Sequence, residues 1–112
     1  MIKDVISFPD FVKLDLRVGK VVEAENVKGS VNLIRMQVDL GPDYGVRVIF
    51  AGIARYYSTK NLKGKKFIFL PNLAPKKMMG EQSQGMMLAA DDNGQCLLIP
   101  VNKKIPQGAV IR

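Results

Sequence analysis

The most constraining feature of this chain is a two-residue alternation of apolar and polar side chains, written in short runs that backbone breakers cut apart. In residues 34–40, Ile34, Met36, Val38 and Leu40 fall on one side, and Arg35, Gln37 and Asp39 fall on the other. Only a pleated strand separates neighbours in this way, because successive Cβ atoms point to opposite faces of a sheet. Val46, Val48 and Phe50 likewise alternate with Arg47 and Ile49 and stop at Gly52. The breaker-rich run Gly41-Pro42-Asp43-Tyr44-Gly45 turns the chain between these two strands. Upstream, Leu14, Leu16 and Val18 alternate with Asp15, Arg17 and Gly19. Gly19 invites a bulge or bend, after which Val21-Val22 changes the phase. Lys66–Leu70 and Met86–Ala90 read as two further strands.

Residues 53–60 carry weak helical character that stops at Asn61, and Phe8–Phe11 reads as a single helical turn. Three strands, a short helix, a fourth strand, a loop and a fifth strand is the order of the oligonucleotide-binding (OB) barrel. The predicted fold is therefore all-β: a five-stranded OB barrel with a short helix between strands 3 and 4 and extra C-terminal strands. Those extras follow the hairpin signal Asp91-Asp92-Asn93-Gly94 and comprise Cys96–Val101 and Ala109–Ile111. They can cap the barrel or build an interface with a second copy. Phe67 and Phe69 alternate on one strand and belong to the core, as does Met87, and at least one of Tyr56 and Tyr57 packs inward. No linker or repeat divides residues 1–112, which read as one domain.

Composition removes several chemistries. The chain has no His, the commonest general base and metal ligand. Cys96 is the only cysteine, so neither an intrachain disulfide nor a Cys-rich metal site can form. Its apolar setting, Cys96-Leu97-Leu98-Ile99, predicts a buried, inert thiol. The adjacent carboxylates Asp91 and Asp92 belong to a turn rather than to an acid–base pair. No cofactor, metal or catalytic residue is implied, and no apolar run reaches the roughly 20 residues of a membrane span. A cytoplasmic protein that is not an enzyme is expected.

The net charge is +7, which favours a polyanionic partner. The surplus is concentrated. No acidic residue lies between Asp43 and Glu81, where Arg47, Arg55, Lys60, Lys63, Lys65, Lys66, Lys76 and Lys77 stand. Residues 1–30, by contrast, balance their charges. A one-signed middle suits a phosphate-binding face, because each cation placed near a phosphate releases counterions. The stretch Pro71–Leu88 adds polar groups in Asn72 and Ser83, charge in Lys76 and Lys77, and polarizable packing groups in Met78, Met79, Met86 and Met87. Gly85 holds a backbone geometry that a side chain would forbid. The candidate nucleic-acid contacts are Arg47, Arg55, Lys60, Lys65, Asn72, Lys76, Lys77, Ser83 and Met86.

Several stretches resemble the tRNA-binding domain family. They are Phe11-Val12-Lys13-Leu14-Asp15-Leu16-Arg17-Val18-Gly19-Lys20-Val21, Val38-Asp39-Leu40-Gly41, Ala51-Gly52-Ile53-Ala54, and Asn72-Leu73-Ala74-Pro75-Lys76-Lys77 followed by Gly80, Ser83, Gly85 and Met86. That domain is known at the C-terminus of many methionyl-tRNA synthetases and as a free-standing dimer. The resemblance implies non-catalytic binding of tRNA by its shape, a homodimer joined through N- and C-terminal elements, and assistance to an aminoacyl-tRNA synthetase in trans. A related branch of the same fold is a dimeric export-type chaperone for unfolded polypeptides, which is the alternative expectation.

Overall fold

The computed structural model describes residues 1–112. Ser7 caps the first helical turn, α1 (Phe8–Phe11), with its hydroxyl accepting from the Asp10 amide at 3.3 Å. The chain then enters β1 (Leu16–Asn26), the longest strand, and continues through β2 (Ile34–Asp39) and β3 (Val46–Ala51). After a turn comes α2 (Thr59–Leu62), then β4 (Lys66–Leu70), β5 (Lys76–Met78), β6 (Glu81–Ser83) and β7 (Met86–Met87). The chain closes with β8 (Ala89–Asp92), β9 (Gln95–Leu98) and β10 (Val110–Ile111). No helix is long and apolar enough to cross a membrane.

The main sheet runs β3-β2-β1-β4-β7, with β10 also pairing with β1. Strand β1 serves several partners because it bends: the β1–β2 register shifts between Val21 and Glu23, which leaves Val22 as the extra residue. The bulge expected at Gly19 therefore lies a few residues later. Gly19 has another reason to lack a side chain. A Cβ there would sit 2.6 Å from Val38 Cγ1 and 2.7 Å from Phe69 Cδ1, inside the core.

The barrel is nearly closed, and side chains complete the seam. The Gln84 amide donates to the Val48 carbonyl at 2.8 Å. The Gln84 side-chain oxygen accepts from the Val48 amide at 3.1 Å, and the Ser83 hydroxyl accepts from the Phe50 amide at 3.0 Å. The free edge of β3 is thus satisfied without a long fifth strand. This explains why the strand expected over Met86–Ala90 is split. Leu88 still donates to Ile68 O at 2.9 Å, but from Ala89 the chain leaves to pair with β9.

Ile34, Met36, Val38 and Leu40 are fully buried, as their alternation predicts. They share one apolar cluster with Val21, Ile49, Phe67, Phe69 and Met87, which Ile53 and Leu62 also enter. Tyr57 packs against this cluster while Tyr56 is exposed. Cys96 is half-buried rather than buried. On β3 the core-facing positions are those of Ile49 and Ala51, opposite Met36 and Ile34. Phe50 is buried outside that cluster, on the outer face.

The helix begins later than the sequence predicts. Residues 53–57 form one turn, with Tyr57 donating to Ile53 O at 3.0 Å. Ser58 then adopts an extended conformation, accepts from the Asn61 amide at 3.3 Å and starts α2. A serine cap inside the expected helix sets the true start, because its hydroxyl adds a second acceptor for the Asn61 amide, which also reaches the Ser58 carbonyl at 3.1 Å.

Candidate nucleic-acid interface

The expected surface loop after β4 contains a hairpin, β5–β6, in which Met78 pairs with Glu81. Its two-residue turn, Met79-Gly80, has φ of 49° and 85°. Two consecutive positive φ values are the mark of a type I′ turn, whose twist matches the flanking strands. Arg35 fastens this hairpin to β2. Its Nε donates to Glu81 at 2.7 Å and its Nη2 donates to the same carboxylate at 2.9 Å, while Nη1 reaches Glu25 at 3.2 Å. The fork geometry makes this a directional pair. Glu81 holds the guanidinium pKa above its ordinary value, and Arg35 holds the Glu81 carboxyl below its own.

At its tip the hairpin approaches the loop after β1, since a Cβ on Gly29 would lie 3.4 Å from Met79 Cε. The outer face of β2–β3 is thereby framed by residues 27–33 and by the hairpin. Strands 2 and 3 with these two loops form the ligand-binding face of the OB architecture. Lys76 and Lys77 stand exposed on β5 at this frame. Val31, Leu73 and Met79 add exposed apolar groups from the same two loops.

Ser83, which the sequence places at the nucleic-acid surface, is buried instead, at only 5% exposed. Its hydroxyl accepts from Phe50 N and donates to Gly85 O at 3.2 Å, so both of its hydrogen-bonding functions are used within the barrel seam. Asn72 is exposed but occupied as well. Its Oδ1 accepts from Asp15 N at 3.0 Å and its Nδ2 donates to Lys13 O at 2.7 Å, which ties the start of the loop to the entry into β1. Gly85 has φ of 146°, and a Cβ there would meet Leu70 O and Pro71 Cα at 3.1 Å each. Met86 is 42% exposed beside this seam.

Arg47 belongs to a polar network at the barrel mouth that the sequence did not disclose. Its guanidinium lies 4.8 Å from the centre of the Tyr44 ring and donates to Pro71 O at 2.9 Å. Arg17 lies 5.2 Å from the same ring. Arg17 also binds Asp15 through Nε at 2.7 Å and Asp43 through Nη1 at 2.9 Å. The Tyr44 hydroxyl donates to Asp15. Arg17 is the main cause that holds the Asp15 carboxyl below its ordinary pKa, and the bond to Asp15 raises that of Tyr44. The network joins two segments, Asp15–Arg17 and Asp43–Arg47, across 26 and 29 residues in the Arg17–Asp43 and Tyr44–Asp15 bonds, so no local pattern marks it.

The remaining candidates lie elsewhere. Arg55 is on the exposed turn before α2, Lys60 is on α2, and Lys65 begins the entry to β4. What these cations share is an absence of neutralisation. Lys13, Arg17, Arg35 and Lys63 form ion pairs with carboxylates, and every other Lys and Arg lacks one. Six carboxylates, Asp10, Asp15, Glu23, Glu25, Asp43 and Glu81, are consumed by those four cations.

A five-stranded barrel with a helix between its third and fourth strands, carrying a basic hairpin beside β2–β3, defines an OB-type binding module. The chain belongs to the family described as "Putative tRNA binding domain", whose model matches residues 16–110. Methionine–tRNA ligase from Methanothrix thermoacetophila is 47% identical over 110 residues, covering 98% of this chain and 16% of the ligase. This chain spans 15 to 17% of the length of such ligases. Among solved structures, a MetRS related protein from Pyrococcus horikoshii superposes with a TM-score of 0.92 at 40% identity, covering 98% of this chain and 100% of that one. The chaperone CsaA from Bacillus anthracis str. Ames gives a TM-score of 0.87 at 32% identity, covering 97% of this chain and 100% of its own.

Proposed function

We propose that this chain binds folded tRNA through the outer face of β2–β3 and its framing loops, and carries out no chemistry on it. The observation that carries this reading is the unneutralised charge: Arg47, Arg55, Lys60, Lys65, Lys76 and Lys77 all stand without a carboxylate partner. Cations left free in this way repel one another until a polyanion arrives and releases its counterions. Lys76 and Lys77 are the central contacts, Met86 and the apolar rim pack on sugar or base, and Arg55 and Lys60 extend the phosphate track, while Lys65 lines a separate cleft beside β1–β4. Asn72 supports this surface by fixing the loop. Recognition by shape suits folded RNA, which displays phosphates and 2′-hydroxyls broadly.

The protein acts as a homodimer in the cytoplasm and presents tRNA to an aminoacyl-tRNA synthetase in trans. Dimerisation is supported by exposed apolar side chains on the N-terminal arm, where Ile2 and Val5 are 99% and 98% exposed and Phe8 and Val12 are also open. The accessible surface is 7632 Å², against about 6100 Å² for a compact monomer of 12.4 kDa.

A second reading rests on the likeness to CsaA and on the exposed Val31, Leu73 and Met79: the same rim holds unfolded polypeptide. Competition decides between the two. Labelled tRNA bound to the protein is challenged with unlabelled tRNA or with a reduced, unfolded polypeptide. The tRNA reading expects displacement by tRNA alone. Failure to bind tRNA together with capture of the polypeptide would replace it with the chaperone reading.

A further inference from the structure

A second basic feature lies beside the β1–β4 pair. It is a cleft of about 710 Å³ between the β1–β4 pair, α2 and the segment after β9. Four lysines line it, Lys20, Lys65, Lys66 and Lys103, and no carboxylate does. Lys20 and Lys66 are direct cross-strand partners, an arrangement that like charges disfavour. Asp39, opposite Lys20 on its other side, makes no close ion pair with it. That carboxylate accepts from Gly41 N at 3.0 Å and from Gln107 Nε2 at 3.4 Å. Lys66 donates to Ile105 O at 2.9 Å, which holds the C-terminal segment beside the cleft but leaves the charge uncompensated.

The rest of the lining is apolar and aromatic, with Tyr57, Phe67, Leu98 and Val101 as its wall. Tyr57 is fixed there because its hydroxyl accepts from Leu98 N at 2.9 Å. The Asn61 side chain lies at the rim, exposed and making no side-chain hydrogen bond within the chain. A small inorganic anion would leave the wall unused, and a purely apolar ligand would leave the lysines uncompensated. A nucleotide satisfies both, with its phosphate among the lysines, its base against the aromatic wall and Asn61 near the base edge. The volume falls in the range of small-ligand sites. We propose that this cleft binds one phosphate-bearing nucleotide, separately from the β2–β3 face. The nucleotide can be free in solution or an unpaired residue of a bound RNA, and this chemistry does not depend on the tRNA reading.

The test is an NMR titration of the isotopically labelled full chain with AMP, adenosine and inorganic phosphate. AMP is expected to shift the amides of Lys20, residues 65–67 and residues 98–103, while leaving the β5–β6 hairpin unmoved, and to bind more tightly than either fragment. Replacing Lys65 and Lys103 together by Ala should weaken AMP by at least about tenfold, the scale of a single lost charge-assisted contact, with an unchanged melting temperature. Lys76→Ala with Lys77→Ala should weaken tRNA and leave AMP affinity alone. Adding tRNA then assigns the source: displacement of AMP identifies an unpaired RNA nucleotide, and coexistence identifies a free one. If AMP leaves the cleft amides unmoved, or moves the hairpin instead, the site is overturned, and tRNA binding on the β2–β3 face stands or falls separately.

Discussion

Ser83 separates two roles that its residue type alone leaves open. Its hydroxyl accepts from the buried Phe50 amide at the barrel seam, so Ser83→Ala removes that amide's side-chain acceptor. A loss of about 1–2 kcal/mol in stability is expected, together with unchanged tRNA affinity for the folded fraction. Thermal melting and tRNA titration on one sample check this, and lost affinity at normal stability would return Ser83 to the binding surface. Asp15 is the second informative residue. Arg17 and Tyr44 stabilise its charged form, so its folded pKa lies below the ordinary value of 3.8. A depressed carboxylate contributes stability that is fully present above the unfolded pKa and is lost as pH falls through the folded one. Stability is therefore expected to fall in acid below about pH 4. Asp15→Asn should flatten that acid limb and lower stability at neutral pH, as measured by denaturant melts across pH.

The elements differ in how legible they were. Strand β2 could be read residue by residue, because strict alternation between breakers leaves a single way to bury one face. The sequence places the helix too early because Ile53 and Tyr57 both pack against the core, but as one turn. Ser58, whose capping role depends on the chain direction after Gly52, starts the helix proper. The β5–β6 hairpin was hidden because Met79 occupies a left-handed position that a sequence reading assigns to Asn or Gly, and because Arg35 holds the hairpin from 46 residues away. The concentration of charge between Asp43 and Glu81 was visible, but its division between the hairpin, the barrel mouth and the β1–β4 cleft is a product of topology. Gly19 gives the test at this scale. A methyl group there meets Val38, Phe69 and Leu40 at under 3.0 Å, so Gly19→Ala is expected to destabilise the barrel by about 1–3 kcal/mol through overpacking. A denaturant midpoint equal to wild type would show that the β1–β4 core yields more easily than its packing suggests.

Across the whole molecule, an exposed apolar N-terminal arm and an uncompensated basic surface point to two kinds of partner. Sedimentation at micromolar concentration is expected to give twice the 12.4 kDa chain mass. Val5→Asp with Phe8→Asp should return it to the monomer, and a wild-type monomer would leave the arm without its proposed role. The central claim is that phosphates of folded tRNA are held by free cations at the hairpin beside β2–β3. Its most direct test is the salt dependence of tRNA affinity, compared between wild type and the double variant Lys76→Ala, Lys77→Ala. The expected wild-type log–log slope is steeply negative, at roughly −0.7 to −0.9 per phosphate neutralised. The variant should bind more weakly, with a slope shallower by about one to two units. A variant with the wild-type slope and the wild-type affinity would contradict the claim.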